Sequence, residues 1–135
     1  MRELVSAPFT AFIGAAWEEK RDGYGRIVME TGPDHADHLG FVHAGAIASL
    51  MDTVIGASLG EMRGDEARRA RPHATISMSA TYYDRAPAGE AIVAEGEVTY
   101  DGGGLAYGEV EARRKSDNGL LARSRLTFAI TEQRS

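Results

Sequence analysis

Hydrophobic and polar positions change their spacing along the chain, and each change marks an element. Ser6-Ala7-Pro8 reads as a helix start, with Ser6 as N-cap and Pro8 in the first turn. Phe9, Phe12 and Ile13 then share one face of a short helix reaching about Ala16. Tyr24 to Glu30 reads as a strand, ended by Thr31-Gly32-Pro33-Asp34, where Gly and Pro break the ladder. Residues 31–43 form a loop. From Ala44 to Gly60, Ile47, Leu50, Met51, Val54, Ile55 and Leu59 put apolar groups nearly all round a helix. Such a helix is a buried one, and the small residues between these positions let backbone approach it from several sides. Residues 61–73 are polar and rich in arginine, the pattern of a surface loop. The period then becomes two: Ile76, Met78, Ala80 and Tyr82 alternate with Thr75, Ser77, Ser79 and Thr81. Pro87-Ala88-Gly89 is a turn into a strand from Ala91 to Asp101. Gly102-Gly103-Gly104 connects it to Leu105–Lys115, and Ser116-Asp117-Asn118-Gly119 connects that to Leu120–Thr131.

Four strands joined by hairpins after one buried helix predict an α+β fold, an antiparallel sheet with the helix on one face. Gly96 and Gly108 lie in the strands where close approach to the helix is expected. The outer face and the edges of such a sheet are left uncovered, which favours association with a second copy. The 135 residues suit a single domain, 1–135, able to bury about two-thirds of its unfolded surface. The chain has no cysteine, which removes disulfides, thiol catalysis and cysteine-ligated metals. A net charge of −5 argues against a nucleic-acid partner. The apolar stretch is too short and too polar to span a membrane, and the N-terminus shows no apolar signal segment. A cytoplasmic protein acting on a small molecule is the expectation.

Asp52 is the only charged residue between Ala44 and Gly60. A carboxylate in low-dielectric surroundings takes up a proton or finds a partner, so Asp52 is the first candidate for chemistry; a structural hydrogen bond is the alternative. The helix start, Gly40-Phe41-Val42-His43-Ala44-Gly45, is the second, because free N–H groups there attract a developing oxyanion. Eight residues separate Ala44 from Asp52, about 12 Å along a helix. One chain's helix start and its own Asp52 therefore cannot grip the same carbonyl, and a site using both must combine two subunits. His35, His38 and His43 lack metal-ligand spacing, so no metal is expected. Ser49 lacks the strained G-x-S-x-G turn of a nucleophile. Gly102-Gly103-Gly104 lacks the Lys-Ser/Thr of a phosphate loop. Arg68, Arg69, Arg71 and Arg85, or Arg113, Arg114 and Lys115, offer cations to substrate phosphates or are solvated surface.

The run from His35 to Asp52, HADHLGFVHAGAIASLMD, resembles the signature of hot-dog thioesterases of the phenylacetate-degradation type: Asn-x-x-Gly-x-x-His-Gly-Gly, small and apolar residues, then Leu-x-Asp. Ala74–Tyr83 and Ala86–Glu90 are similar to the family's second strand and turn, and the likeness extends over about residues 24–130. It implies a hot-dog fold, a sheet wrapping a long central helix, in homodimers often paired into tetramers. It implies hydrolysis of acyl-CoA, with coenzyme A entering as part of the substrate and no separate cofactor. By position it makes Asp52 the general base or nucleophile. His43, Ala44 and Gly45 become the helix start whose N–H polarises the thioester carbonyl, with Gly40 in the preceding loop. Thr75 matches a strand Ser/Thr that positions water or substrate, and Asp37 matches an Asn near the reacting group. Arg85 is a candidate for substrate phosphate. Two positions depart from the pattern. Ala44 replaces the first Gly but keeps its N–H. Asp37 replaces Asn, and near a partner's Asp52 one of the two acids would have a raised pKa. A dehydratase or hydratase of acyl thioesters, and a non-catalytic acyl-CoA-binding module, are the alternatives.

Overall fold

The period-two segments assemble into one antiparallel sheet around the apolar helix. The structure is a computed structural model and describes residues 7–131; Ser6, the expected N-cap, lies outside the described residues. Helix α1 (Pro8–Phe12) leads into strands β1 (Ala15–Arg21) and β2 (Tyr24–Met29). A 3₁₀ turn at Pro33–His35 precedes the long helix α2 (Ala44–Arg63) and the short α3 (Asp65–Ala70). Strands β3 (His73–Tyr82), β4 (Ile92–Asp101), β5 (Leu105–Arg114) and β6 (Leu120–Ile130) complete the chain. The sheet runs β1-β2-β4-β5-β6-β3, antiparallel at every step. It curls round α2, which meets all six strands. This is the α+β hot-dog arrangement. Among the described residues no helix is long and apolar enough to cross a membrane.

The core forms where the apolar positions of α2 meet the inner face of the sheet. Ile47, Leu50, Met51, Val54, Ile55 and Leu59 are all buried, each contributing about 1.5–3 kcal/mol of hydrophobic stabilisation. Close approach depends on missing side chains. A Cβ at Gly96 would lie 2.5 Å from Ile55 Cδ1, and one at Gly108 2.5 Å from Ile55 Cγ2. The two strand glycines thus admit Ile55, as their positions predicted.

Several expectations are corrected. The first helix stops at Phe12 rather than Ala16, because Gly14 turns the chain at φ +78°. Of the three residues expected on one face of that helix, Ile13 is buried, while Phe9 and Phe12 are exposed and stack on each other. The segment after them is strand β1, paired with β2 through the two-residue turn Asp22-Gly23. The region 61–73 is not a loop: α2 continues to Arg63, and α3 occupies Asp65–Ala70. The turn at Pro87-Ala88-Gly89 is not a hairpin. It belongs to a crossover that carries the chain from β3, at one edge, to β4 in the interior.

The alternation in β3 is also broken. Thr75 pairs with Phe128 and Ser77 with Thr127, so Ile76 is an extra residue in a β-bulge. Ile76 is therefore 59% exposed rather than on the core side with Met78. Thr75 faces the helix instead, because the extra residue shifts its phase relative to the rest of the strand.

Candidate active site

Three polar side chains of β3 tie that edge strand to α2. His73 Nε2 meets the Gly56 carbonyl at 2.9 Å. The Thr75 hydroxyl donates to Asp52 Oδ1 at 2.7 Å. The Tyr82 hydroxyl donates to the Ala44 carbonyl at 2.9 Å. The bulge at Ile76 allows this, since it puts Thr75 on the same side as Tyr82. Asp52 is half-buried rather than sealed in the core. It lies on the helix face carrying Gly45, Ser49 and Gly56, which the chain's own sheet leaves partly open.

The first turn of α2 is shaped by its cap. His43 is extended, with φ −60° and ψ 135°, and its Nδ1 accepts the Gly45 N–H at 2.8 Å. The imidazole thus does the work of an N-cap side chain. The Ala46 and Ile47 N–H groups both point to the His43 carbonyl. Among the described residues nothing accepts the Ala44 N–H. Of the two expected donors, Gly45 is thus engaged within the chain and Ala44 is available. Ala44 and Gly45 are both exposed.

The loop before the helix is held by Asp37. Its Oδ1 accepts the N–H groups of Leu39 at 2.9 Å and Phe41 at 3.0 Å. The Leu39 N–H above all, with the Phe41 N–H, holds the Asp37 carboxyl below its usual range. Gly40 supplies the positive φ of this turn, +86°, and its carbonyl accepts the Ala88 N–H. The Val42 N–H donates to Ala86 at 2.8 Å, so the loop leading into α2 and the crossover after β3 form one unit. Arg85 stands on that crossover, its guanidinium 5.0 Å from the centre of the Phe41 ring.

Other candidates resolve into structural roles. His35 Nδ1 accepts the Gly32 N–H, and Nε2 faces the Ile13 carbonyl at 2.6 Å. The Ser49 hydroxyl donates to the Gly45 carbonyl, as a helix serine does. Arg68 pairs with Asp65, Arg113 with Glu111, and Arg114 with Asp84 and Asp117. Among the described residues no three His, Asp or Glu side chains converge in a way that could hold a metal.

Sequence reasoning missed Tyr82 and His73 as tethers of the helix. Strand alternation put Tyr82 on the correct face, but nothing in the sequence pairs it with Ala44. Asp52 with Thr75 forms one cluster, and the bare Ala44 N–H forms another two turns earlier on α2.

The model of the thioesterase superfamily matches residues 39–120, which span both clusters. The chain belongs to the thioesterase superfamily. As a member it is a thioester hydrolase. It is 30% identical over 99 residues to acyl-coenzyme A thioesterase 13 of Mus musculus, covering 73% of this chain and 67% of that one. The fold of this thioesterase superposes on the Escherichia coli PaaI protein from the phenylacetic acid degradation operon with a TM-score of 0.81. That match covers 92% of this chain and 84% of the other at 14% identity. A hypothetical thioesterase of Streptococcus pneumoniae, solved with coenzyme A, superposes with a TM-score of 0.76 at 19% identity, covering 94% and 93%.

Proposed function

We propose that this thioesterase hydrolyses acyl-CoA at sites shared by two subunits of a homodimer. Asp52 of one chain faces the Ala44 N–H of the other. The observation that carries this reading is the split on α2: the Thr75-bound Asp52 and the unpartnered Ala44 N–H are two turns apart on one rigid helix. Only a second copy brings an acid and a donor to the same carbonyl. The unpaired outer edge of β3 and the open, small-residue face of α2 supply surfaces on which two copies can meet.

The chemistry follows from the groups. Asp52, held by the Thr75 hydroxyl, takes a proton from water as the oxygen adds to the thioester carbonyl; alternatively its own oxygen adds, giving an anhydride that water then opens. The carbonyl oxygen gathers negative charge and is met by the Ala44 N–H, a donor of a kind worth about 3–4 kcal/mol. Collapse breaks the C–S bond. The CoA thiolate is a good leaving group and needs little acid assistance, so by either route it departs as the thiolate; in the general-base route the proton taken by Asp52 can pass to it. Asp37, already bound to its own loop, has no amide donor to offer the oxyanion. Ala44 therefore carries that role alone.

Two substitutions test the split site. Asp52→Asn removes the base. Ala44→Pro removes the N–H at the first helical position, where proline is tolerated. His43 already has the extended backbone that a residue before proline requires. Each variant alone should lose at least about a hundredfold in thiol release across an acyl-CoA panel, some 2.7 kcal/mol. Mixed and reassorted in equal amounts, they should regain about a quarter of wild-type activity, because half the dimers hold one intact site. No recovery on mixing would place both groups in one chain and overturn the reading. Oxygen from labelled water appearing in Asp52 after a single turnover would select the anhydride route.

A further inference from the structure

Arg85 differs from the other arginines. Among the described arginine side chains, it alone has neither a hydrogen-bond nor an ion-pair partner. Arg21, Arg26, Arg68, Arg113, Arg114, Arg123 and Arg125 all meet carboxylates. Arg63 and Arg71 donate to backbone carbonyls. The Arg85 guanidinium instead rests against the ring of Phe41. Its backbone is fixed at both ends: its N–H donates to Asp84 Oδ1 at 2.8 Å, and its carbonyl accepts Arg114 Nη1 at 2.7 Å. Arg114 also takes the other Asp84 oxygen at 2.8 Å, so both oxygens of that carboxylate are already engaged. Asp37, whose carboxyl feels the Arg85 charge, already accepts two backbone N–H groups at one oxygen. A loop held by backbone hydrogen bonds thus presents a cation whose side-chain donors are free among the described residues.

The surroundings suit a nucleotide. A depression of about 440 Å³ is lined by Phe41, Tyr82, Tyr83, Asp84 and Arg85. It adjoins the helix start, because Tyr82, one of its lining residues, also donates its hydroxyl to the Ala44 carbonyl. A chain with a net charge of −5 repels a polyanion at long range, so a phosphorylated substrate needs a local unpaired cation. Arginine pairs with phosphate bidentately, and aromatic faces accept a base.

We infer that this depression seats the phosphorylated nucleotide end of the CoA substrate, with Arg85 on phosphate. The inference rests on the acyl-CoA reading and makes Arg85 the residue by which the protein tells acyl-CoA from the same acyl group on pantetheine. Removing one charge-assisted phosphate contact is expected to cost about tenfold.

The test compares wild type with Arg85→Gln on one acyl group carried by CoA, by dephospho-CoA and by pantetheine. The expected result is a KM for acyl-CoA raised about tenfold in the variant with kcat little changed, and no change on acyl-pantetheine. Arg85→Lys should recover part of the loss. Equal effects on acyl-CoA and acyl-pantetheine, or none on either, overturn the inference. Loss confined to the substrate with the extra phosphate assigns Arg85 to that phosphate; loss shared by CoA and dephospho-CoA assigns it to the pyrophosphate. Calorimetric titration of CoA and pantetheine is run beside the kinetics. If no thioester of the panel is hydrolysed, the acyl-CoA reading fails. Binding of CoA that depends on Arg85 then still decides the present one.

Discussion

The Thr75 hydroxyl donates to Asp52 Oδ1 at 2.7 Å, joining the edge strand of the sheet to the central helix at the one acid within the helix's apolar run. Asp52 is otherwise flanked on α2 by Met51 and Thr53, and the Thr53 hydroxyl is turned to the Ser49 carbonyl. Thr75 therefore sets where the carboxylate points. Thr75→Ala should lower kcat about tenfold, the worth of one hydrogen bond to a charged group, while Thr75→Ser retains most activity. Steady-state hydrolysis of a single acyl-CoA by the three proteins checks this. Unchanged kcat in Thr75→Ala would mean that Asp52 is oriented by something else.

The Ala44–Gly45 peptide is held at both ends, its carbonyl by Tyr82 and its N–H by His43 Nδ1. This clamp fixes the first turn of α2 and leaves the preceding N–H bare. His43→Ala should lower stability by about 1 kcal/mol as a cap is lost, and His43→Asn, which keeps an acceptor, should recover most of it. Tyr82→Phe should cost about 1 kcal/mol for its hydrogen bond and reduce kcat more than it changes KM. Chemical denaturation beside kinetics separates the two effects. A Tyr82→Phe protein with wild-type kcat would remove Tyr82 from the positioning of the helix start.

The buried helix, the last two hairpins and the glycine windows were legible in the sequence because local patterns specify them. Asn118, at φ +60°, sits in the turn that Asn-Gly announces. Strand β1 was missed because its Glu, Lys and Arg residues mask the alternation, although Asp22-Gly23 is a hairpin signal. The phase of β3 was misread at Ile76 because a bulge inserts a residue that no composition reveals. Of the site, Asp52 stood out as a lone charge among apolar neighbours. The engagement of the Gly45 N–H by His43, and the isolation of Arg85, depend on which partners surround each group. Such non-local geometry is invisible along the chain.

Packing at Ile55 gives a sharp stability test. A Cβ at position 96 would come within 2.5 Å of Ile55 Cδ1 and 3.1 Å of the Glu109 carbonyl oxygen. Gly96→Ala should therefore destabilise by about 1–3 kcal/mol through overpacking. Ile55→Val removes the colliding methyl at a cost of its own of about 0.5–1.5 kcal/mol. The double variant should be more stable than the sum of the two losses predicts, a coupling that a double-mutant cycle measures. Gly32→Ala is the control, since a Cβ there meets nothing within 4 Å among the described residues. Strict additivity of Gly96→Ala and Ile55→Val would show that the helix moves aside freely.

His73 ties stability to pH. Its ring lies between Arg63 Nη1, 2.9 Å from Nδ1, and the Gly56 carbonyl, 2.9 Å from Nε2. Arg63 can only donate, so Nδ1 accepts and the neutral ring carries its proton on Nε2. Burial pushes the His73 pKa below the ordinary 6.5, the Gly56 carbonyl opposes this, and Arg63 and Arg68 add to the lowering. A depressed histidine pKa means that the unfolded chain binds the proton more readily. Stability from this source is complete above pH 6.5 and is lost as pH falls from there through the lower folded value. The carboxyls of Asp37, Asp84, Glu111 and Asp117, all lowered by hydrogen bonds, act in a separate, more acidic window, below about pH 4.5. His73→Gln keeps an acceptor for Arg63 and a donor for Gly56 without a titrating ring. Urea midpoints of wild type should fall between neutral pH and about pH 5, and those of His73→Gln should fall less. The difference between the two proteins isolates this ring from the other histidines. Parallel pH profiles would show that His73 keeps the same proton affinity folded and unfolded.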